Sequence, residues 1–254
     1  MLRIRYSLLL FICFSLMNCK SENARYHLDK RFWDTNDYED IIMKLKYGIK
    51  PDEKLPSFSD PETRMIVEKL TDEQNFKVVL EDSELGIKHK NKVASDFFRL
   101  WKDMNTIYRK RDRKDNFVYD RELLKVYHFG LGLQLLYFKL GNDELVEDAD
   151  DPNDSSTQTI INSNVKTLIS NFNNYLDQIN DEKSFSEEGK KLLSKGLDKY
   201  FTELVNQYPK ANYNEMLKKI ELMEKKSHSE TVITSLKKIK MLIESKREKK
   251  PSNE

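Results

Sequence analysis

The chain has little of what most exported domains and most enzymes depend on. It has 254 residues but only two cysteines, Cys13 and Cys19, so no internal disulfide framework can hold it together. Seven glycines and six prolines supply too few sharp turns for a sheet protein of this length. No charge of one sign dominates: 44 Lys and Arg face 43 Asp and Glu, which argues against bulk electrostatic capture of nucleic acid. No apolar run reaches the roughly 20 residues that cross a bilayer. GxGxxG, a phosphate-cradling Gly loop, GxSxG and HExxH are all missing, as are cysteine partners for zinc. The abundant residues favour helix: 34% are charged, many of them Lys and Glu, and 38% are apolar. Length and composition predict an all-α fold without a cofactor.

The first 19 residues differ from the rest. Arg3 and Arg5 precede an apolar run from Leu8 to Met17, broken only by Ser15. About ten apolar residues suit the middle of an export signal. Leu16-Met17-Asn18-Cys19 resembles the bacterial lipobox, with Asn18 standing where Gly, Ala or Ser is usual. The resemblance implies cleavage after residue 18 and a diacylglyceryl group on the Cys19 thiol. Two or three acyl chains make a stable membrane anchor. The competing readings are an ordinary signal peptide with a chance cysteine, or an uncleaved anchor. Cleavage would remove Arg3, Arg5 and Cys13, leaving 42 basic against 43 acidic residues.

The expected organisation is a signal peptide at 1–18, a lipidated tether at 19–36, a helical domain at 37–248 and a frayed, charged end at 249–254. The domain is predicted to be a bundle of seven to nine helices around a buried central one. A first helix over Asp37–Tyr47 presents Tyr38, Ile41, Ile42 and Leu45 on one face, with Gly48 as its stop. Asp60-Pro61-Glu62 is a helix start, and Thr71 or Asp72 a restart that runs to near Gly86. Val93, Phe97, Leu100, Met104 and Ile107 mark a long helix over 91–111. Residues 118–140 are apolar on nearly every side in their second half, the mark of a helix buried mid-domain. Gly130 and Gly132 each weaken that helix by about 1 kcal/mol relative to Ala, so close approach of a neighbour is their expected use. Gly141 is its expected end, followed by an acidic loop at 142–157. Further helices are predicted over 158–180, from Ser186 to Pro209, from Asn212 or Asn214, and from Ser229.

Few residues invite chemistry. Of His27, His89, His128 and His228, only His128 falls in the buried helix, where a hydrogen-bonded core histidine is the simpler reading. Glu147, Asp148, Asp150, Asp151 and Asp154 suggest calcium, but Pro152 at the fifth loop position, Asn153 for the required Gly and Thr159 for the closing Glu break the EF-hand pattern. Arg109, Lys110, Arg111, Arg113 and Lys114 cluster where the long helix ends. Cations there complement the helix dipole, and the alternative is a patch for a polyanion such as sulfated glycosaminoglycan.

Residues 119–134, YDRELLKVYHFGLGLQ, carry a Tyr-His pair followed by Gly and Gln in an apolar helical segment. With the lipobox and the Lys- and Asn-rich body, they resemble Borrelia outer-surface lipoproteins, and among these the complement regulator-acquiring surface proteins. The resemblance implies an all-helical surface domain, sometimes a homodimer, held to the outer membrane by its N-terminal lipid and facing host molecules. Some members bind complement factor H and many do not, and no residue for that ligand carries over. The expectation is a non-catalytic protein of the cell surface that binds a complement regulator, another host protein or a glycosaminoglycan. A periplasm-facing structural or chaperone-like lipoprotein is the alternative, and an unrecognised enzyme a third.

Overall fold

A computed structural model describes residues 26–50, 52–114, 118–151, 153–180 and 185–248. The leader, Cys19 and the tail at 249–254 lie outside them. Nine helical segments and no strand occur among the described residues. Helix α1 is Thr35–Met43 and runs on as a π-helical turn, Lys44–Gly48; α2 is Arg64–Leu70 and α3 Gln74–Leu80. Two long helices follow, α4 (Ile87–Lys114) and α5 (Asp120–Glu147). Then come α6 (Ser155–Ile179) and α7, which runs Glu187–Gly196, passes through a π turn at Leu197–Phe201 and ends as Thr202–Gln207. Helices α8 (Asn214–Lys226) and α9 (Glu230–Glu248) complete the bundle. The all-α single-domain expectation is met.

Helix α5 is the central element and packs on α4, α6 and α7. Its first half, Asp120 to Leu135, is buried on almost every side. The glycines act as expected. A Cβ on Gly130 would meet the Trp101 ring at 2.1 Å, and one on Gly132 would meet Glu73 at 3.1 Å and Tyr200 at 3.3 Å. Gly196 in α7 performs the same service for α5, since its Cβ would lie 1.9 Å from His128 Nε2.

Several boundaries differ from expectation, each for a local reason. Helix α1 begins two residues early because Asp37 is the third residue of a capping box. Asp34 accepts from the Asn36 and Asp37 N–H groups at 2.8 and 3.0 Å, and the Asp37 carboxylate accepts from Asp34 N–H at 3.1 Å. Asp60 closes a turn rather than a helix: its carboxylate accepts from Glu62 N–H and the Thr63 hydroxyl, and α2 opens only at Arg64. Helix α3 stops at Leu80, short of Gly86. Gly141 does not end α5, which continues for six residues. Asn142 is buried there, its amide donating to the Tyr208 hydroxyl at 3.3 Å and its oxygen accepting from Asn164 at 2.9 Å. The acidic loop thereby shrinks to 148–154, where Asp154 caps α6.

The tether boundary also shifts. Trp33 is 0% exposed, its backbone N–H donating to Asn75 Oδ1 at 2.8 Å and its indole N–H to the His27 carbonyl at 2.9 Å. Tyr26 is buried as well. Residues 26–36 therefore belong to the helical domain, not to a free tether. Trp33 opens an inner aromatic cluster with Tyr38, Phe76, Phe97 and Phe129, whose centroids lie 5.0–6.3 Å apart. The extended stretch before α2 is stitched down by backbone-to-side-chain bonds. Leu55 N–H donates to the Tyr119 hydroxyl at 3.0 Å, Phe58 N–H to Glu122 at 2.5 Å, and the Tyr108 hydroxyl to the Pro56 carbonyl at 2.9 Å.

Candidate ligand-binding site

The basic cluster at the end of α4 does not form one patch. Consecutive residues are about 100° apart around a helix. Arg109 and Arg113 thus lie about 40° apart on one side, while Lys110 and Arg111 fall roughly 100° and 200° from Arg109. Lys110 and Arg111 line a shallow hollow with Lys46 and Ile49, and the Arg111 guanidinium reaches the Lys50 carbonyl at 3.5 Å. Arg109 and Arg113 lie close enough to Tyr127 for their charge to favour its phenolate against the burial that disfavours it. The Lys114 side chain lies outside what the structure describes.

The other residues singled out in the sequence have structural employment. His128 is 5% exposed, with Nε2 3.2 Å from the Tyr175 hydroxyl; burial, aided by Lys125 and Lys199, pushes its pKa down to about 3. His27 meets Asp40 at 2.8 Å, and His89 and His228 lie at the surface. The acids of the calcium-like run cap helices or stand exposed, and no group of three metal-binding side chains occurs among the described residues.

Two hollows beside α5 contrast in chemistry. The first lies between α3, α5 and α7 and encloses about 540 Å³. At its floor Glu73 pairs with Lys199 at 2.6 Å and Lys77 at 3.1 Å, and accepts from the Tyr200 hydroxyl. Burial drives the Glu73 pKa up, but the bonds from Lys199 and Tyr200 outweigh it and hold the carboxyl below its usual range. These polar groups satisfy one another.

The second hollow, a cavity of about 390 Å³, lies between α4, α5 and α6. Helix periodicity builds it. Helix α4 supplies Ser95, Phe98, Trp101, Lys102 and Asn105; α5 supplies Tyr127, Leu131, Gln134, Tyr137 and Phe138; α6 supplies Asn171, Asn174, Tyr175 and Gln178. In each helix these residues recur every three or four positions, so each contributes one stripe. No carboxylate lines the cavity, and Lys102 is its one formal charge. Aromatic rings form one wall: Phe98 and Tyr137 stand edge to face at 5.0 Å and 81°, with Trp101 at 6.4 Å from Phe98. The Trp101 indole is fixed in place, since its N–H donates to the Val126 carbonyl at 2.8 Å and its ring fills the space left by Gly130.

Two of the lining residues carry a polar atom without a partner. Gln134 is 4% exposed, and its Nε2 donates to the Gly130 carbonyl at 3.0 Å. A carbonyl can only accept, so the amide is oriented and Oε1 is left as a buried acceptor with no hydrogen bond. Asn105 Oδ1 is buried and unpartnered too. Buried acceptors are nearly always satisfied, and one left open costs roughly 1–3 kcal/mol. The cavity lining therefore combines aromatic rings with amide side chains, while the two unpartnered oxygens are themselves sealed from solvent.

Sequence reasoning found neither this cavity nor its amides. Trp101, Asn171, Asn174 and Gln178 carry no site expectation from the sequence. The available signal was their spacing of three and four on the same helix as an apolar stripe, which places amides beside whichever helix packs there.

No family model matches the chain, and no curated protein or solved structure is similar to it. The lipoprotein resemblance thus stands on the sequence features given above, and of these residues 119–134 form the end of the α4–α5 connection and the buried half of α5.

Proposed function

We propose that this chain is a lipid-anchored protein of the bacterial outer membrane that binds a host ligand at the cell surface and carries out no chemistry on it. The observation that carries the binding part is the α4–α5–α6 cavity of about 390 Å³, lined by ordered rings, amide side chains and one lysine with no carboxylate among them. The anchoring part is supported by the leader and Cys19. Among the described residues no helix is long and apolar enough to cross a membrane. The ligand class comprises a complement regulator, another host protein or a glycosaminoglycan.

The test is a capture experiment with the natural protein in detergent micelles, using host serum and immobilised heparin, paired with protease treatment of intact cells. Retention of a serum protein or heparin, with loss of the chain from shaved cells, is the expected result. A chain that survives shaving faces the periplasm, and a chain that holds nothing from either source has a different role. Replacing Cys19 by Ala should abolish partitioning into a detergent phase.

A further inference from the structure

We infer that the hollow between α6 and the start of α8 binds a phosphate or sulfate ester of a small polar molecule. It encloses about 610 Å³, within the range of small-molecule sites. It shares no lining residue with the α4–α5–α6 cavity, so the inference stands apart from the binding role proposed above. Three segments build it: one stripe of α6 from Asn162 to Asn173, the α7–α8 connection, and the first turn of α8. Each segment brings one lysine, Lys166, Lys210 and Lys218, and none has an ion-pair partner among the described residues. Glu215 is the one acid of the lining, and Lys219 already lies 3.6 Å from it. The chain as a whole balances its charges, but this hollow does not, and the excess is positive.

Hydrogen-bond donors point the same way. Helix α8 has 13 residues, and Tyr213 before it supplies no side-chain cap. Asn212 Oδ1 accepts from Asn214 N–H at 3.0 Å, and the Tyr213 carbonyl accepts from Leu217 N–H at 2.9 Å. The N–H groups of Glu215 and Met216 fall between them, at the positive end of the helix dipole. Asn214 Oδ1 is taken by Arg247 at 2.7 Å, which leaves that amide its donor end. Asn173 is 3% exposed, lines the hollow and makes no hydrogen bond among the described residues. Its Oδ1 is sealed, so the amide nitrogen is the polar end that meets the hollow, a donor without an acceptor. Donors from three segments fit an occupant made of acceptor oxygens. Lysine is a compact point charge without the planar fork that matches a carboxylate, so the set suits a tetrahedral oxyanion. No aromatic ring lines the hollow, and the space beyond the oxyanion is walled by Ser170 and asparagines, so the rest of the occupant is polar. Phosphate esters of metabolites and sulfate esters of glycans share this chemistry.

The test is calorimetric titration of the full chain in detergent micelles with glucose 6-phosphate, N-acetylglucosamine 6-sulfate and the two neutral parent sugars. At least one ester should bind tenfold or more tightly than its parent, and which one does so separates a metabolite from a glycan source. A phosphate ester gains its second charge near pH 6, so its affinity should rise as pH passes that value, whereas a sulfate ester should bind equally on both sides. Lys166→Gln with Lys218→Gln should weaken binding at least tenfold. Ser170→Glu sets a carboxylate in the hollow and should abolish binding. All three positions are exposed, so the melting temperature should hold. Lys226→Gln with Lys237→Gln removes the same charge from exposed positions outside the hollow and should bind as the natural chain does. The inference is overturned if neither ester gives heat beyond its parent sugar at millimolar concentration. It is equally overturned if the hollow variants bind as the natural chain does, or if the control pair loses as much as the hollow pair. Capture of a serum protein without any ester response sinks this site and leaves the surface-binding role standing; an ester response without serum capture does the reverse.

Discussion

Phe97 and Phe98 are neighbours in α4, yet they enter two aromatic clusters with different fates. Phe97 joins Trp33, Tyr38, Phe76 and Phe129, all at 1% exposure or less. Phe98 joins Trp101, Tyr137 and Phe138, all half-buried around the cavity. Ring geometry does not distinguish them: Phe76–Phe129 and Phe98–Tyr137 both meet edge to face at 5.0 Å. The polar atoms nearby do. In the inner cluster the Tyr38 hydroxyl donates to the Leu70 carbonyl at 2.8 Å and accepts from Asn75, so the circuit is closed. In the outer cluster Gln134 and Asn105 keep an oxygen unpartnered. The inner rings thus sit beside polar groups that satisfy one another, and the outer rings line an open hollow.

The sharpest way to break this contrast is to truncate one ring from each cluster. Phe129→Ala should destabilise the fold by about 3–5 kcal/mol in urea unfolding, the range for a fully buried ring. Phe98→Ala should sit at the opposite end of the scale. Equal losses from the two would erase the distinction.

Acid offers a second test, centred on the core side of α5. Unfolded histidine takes up a proton near pH 6.5, whereas the buried His128 refuses one until about pH 3. Its contribution to stability is therefore level above about pH 7 and declines as pH drops from 6.5 toward 3, by at most about 1.4 kcal/mol per pH unit. Glu73 faces the ring as a counter-charge, while Lys125 and Lys199 add to the depression. Buried Glu122 works in the opposite direction, since burial raises its pKa. The difference between the natural chain and His128→Gln isolates the histidine. A stability gap between them that stays constant from pH 7 to 4 would contradict a neutral buried imidazole.

Gly130→Ala bridges the two clusters. The new methyl would drive into the Trp101 ring at about 2 Å and displace it, so a loss of about 1–3 kcal/mol should outweigh the helix propensity gained. The displaced ring should show as a red-shifted Trp101 emission. The smallest effect belongs to Phe98→Ala, at about 1 kcal/mol or less, because the ring is half-exposed and nothing closes over it.

Much of the fold could be read along single helices. The stripe through Phe97, Leu100 and Met104 is buried, and Val93 and Ile107 flank it. The all-round apolar half of α5 is the centre, and Ser186 caps α7 by accepting from Gly189 N–H at 3.0 Å. Failures came where a distant partner overrode a local signal. Gly141 would end an isolated helix, but Asn142 is held by Asn164 from α6 and Tyr208 just past the end of α7. Residues 26–36 look like a polar linker until Trp33 finds Asn75, 42 positions away. The site was hidden for the same reason. A run of cations is visible in one dimension, and the helix then divides it; a cavity made from three stripes needs the packing that no single stripe encodes.

The burial of Tyr26 bears on how far the domain can stand off a bilayer. Seven peptide steps separate it from Cys19, and a fully stretched chain of that length spans about 25 Å. If the chain is held at Cys19 as proposed, that is a short leash: it keeps the bundle within about one membrane thickness of the lipid headgroups, so a partner under that proposal would have to approach the membrane itself.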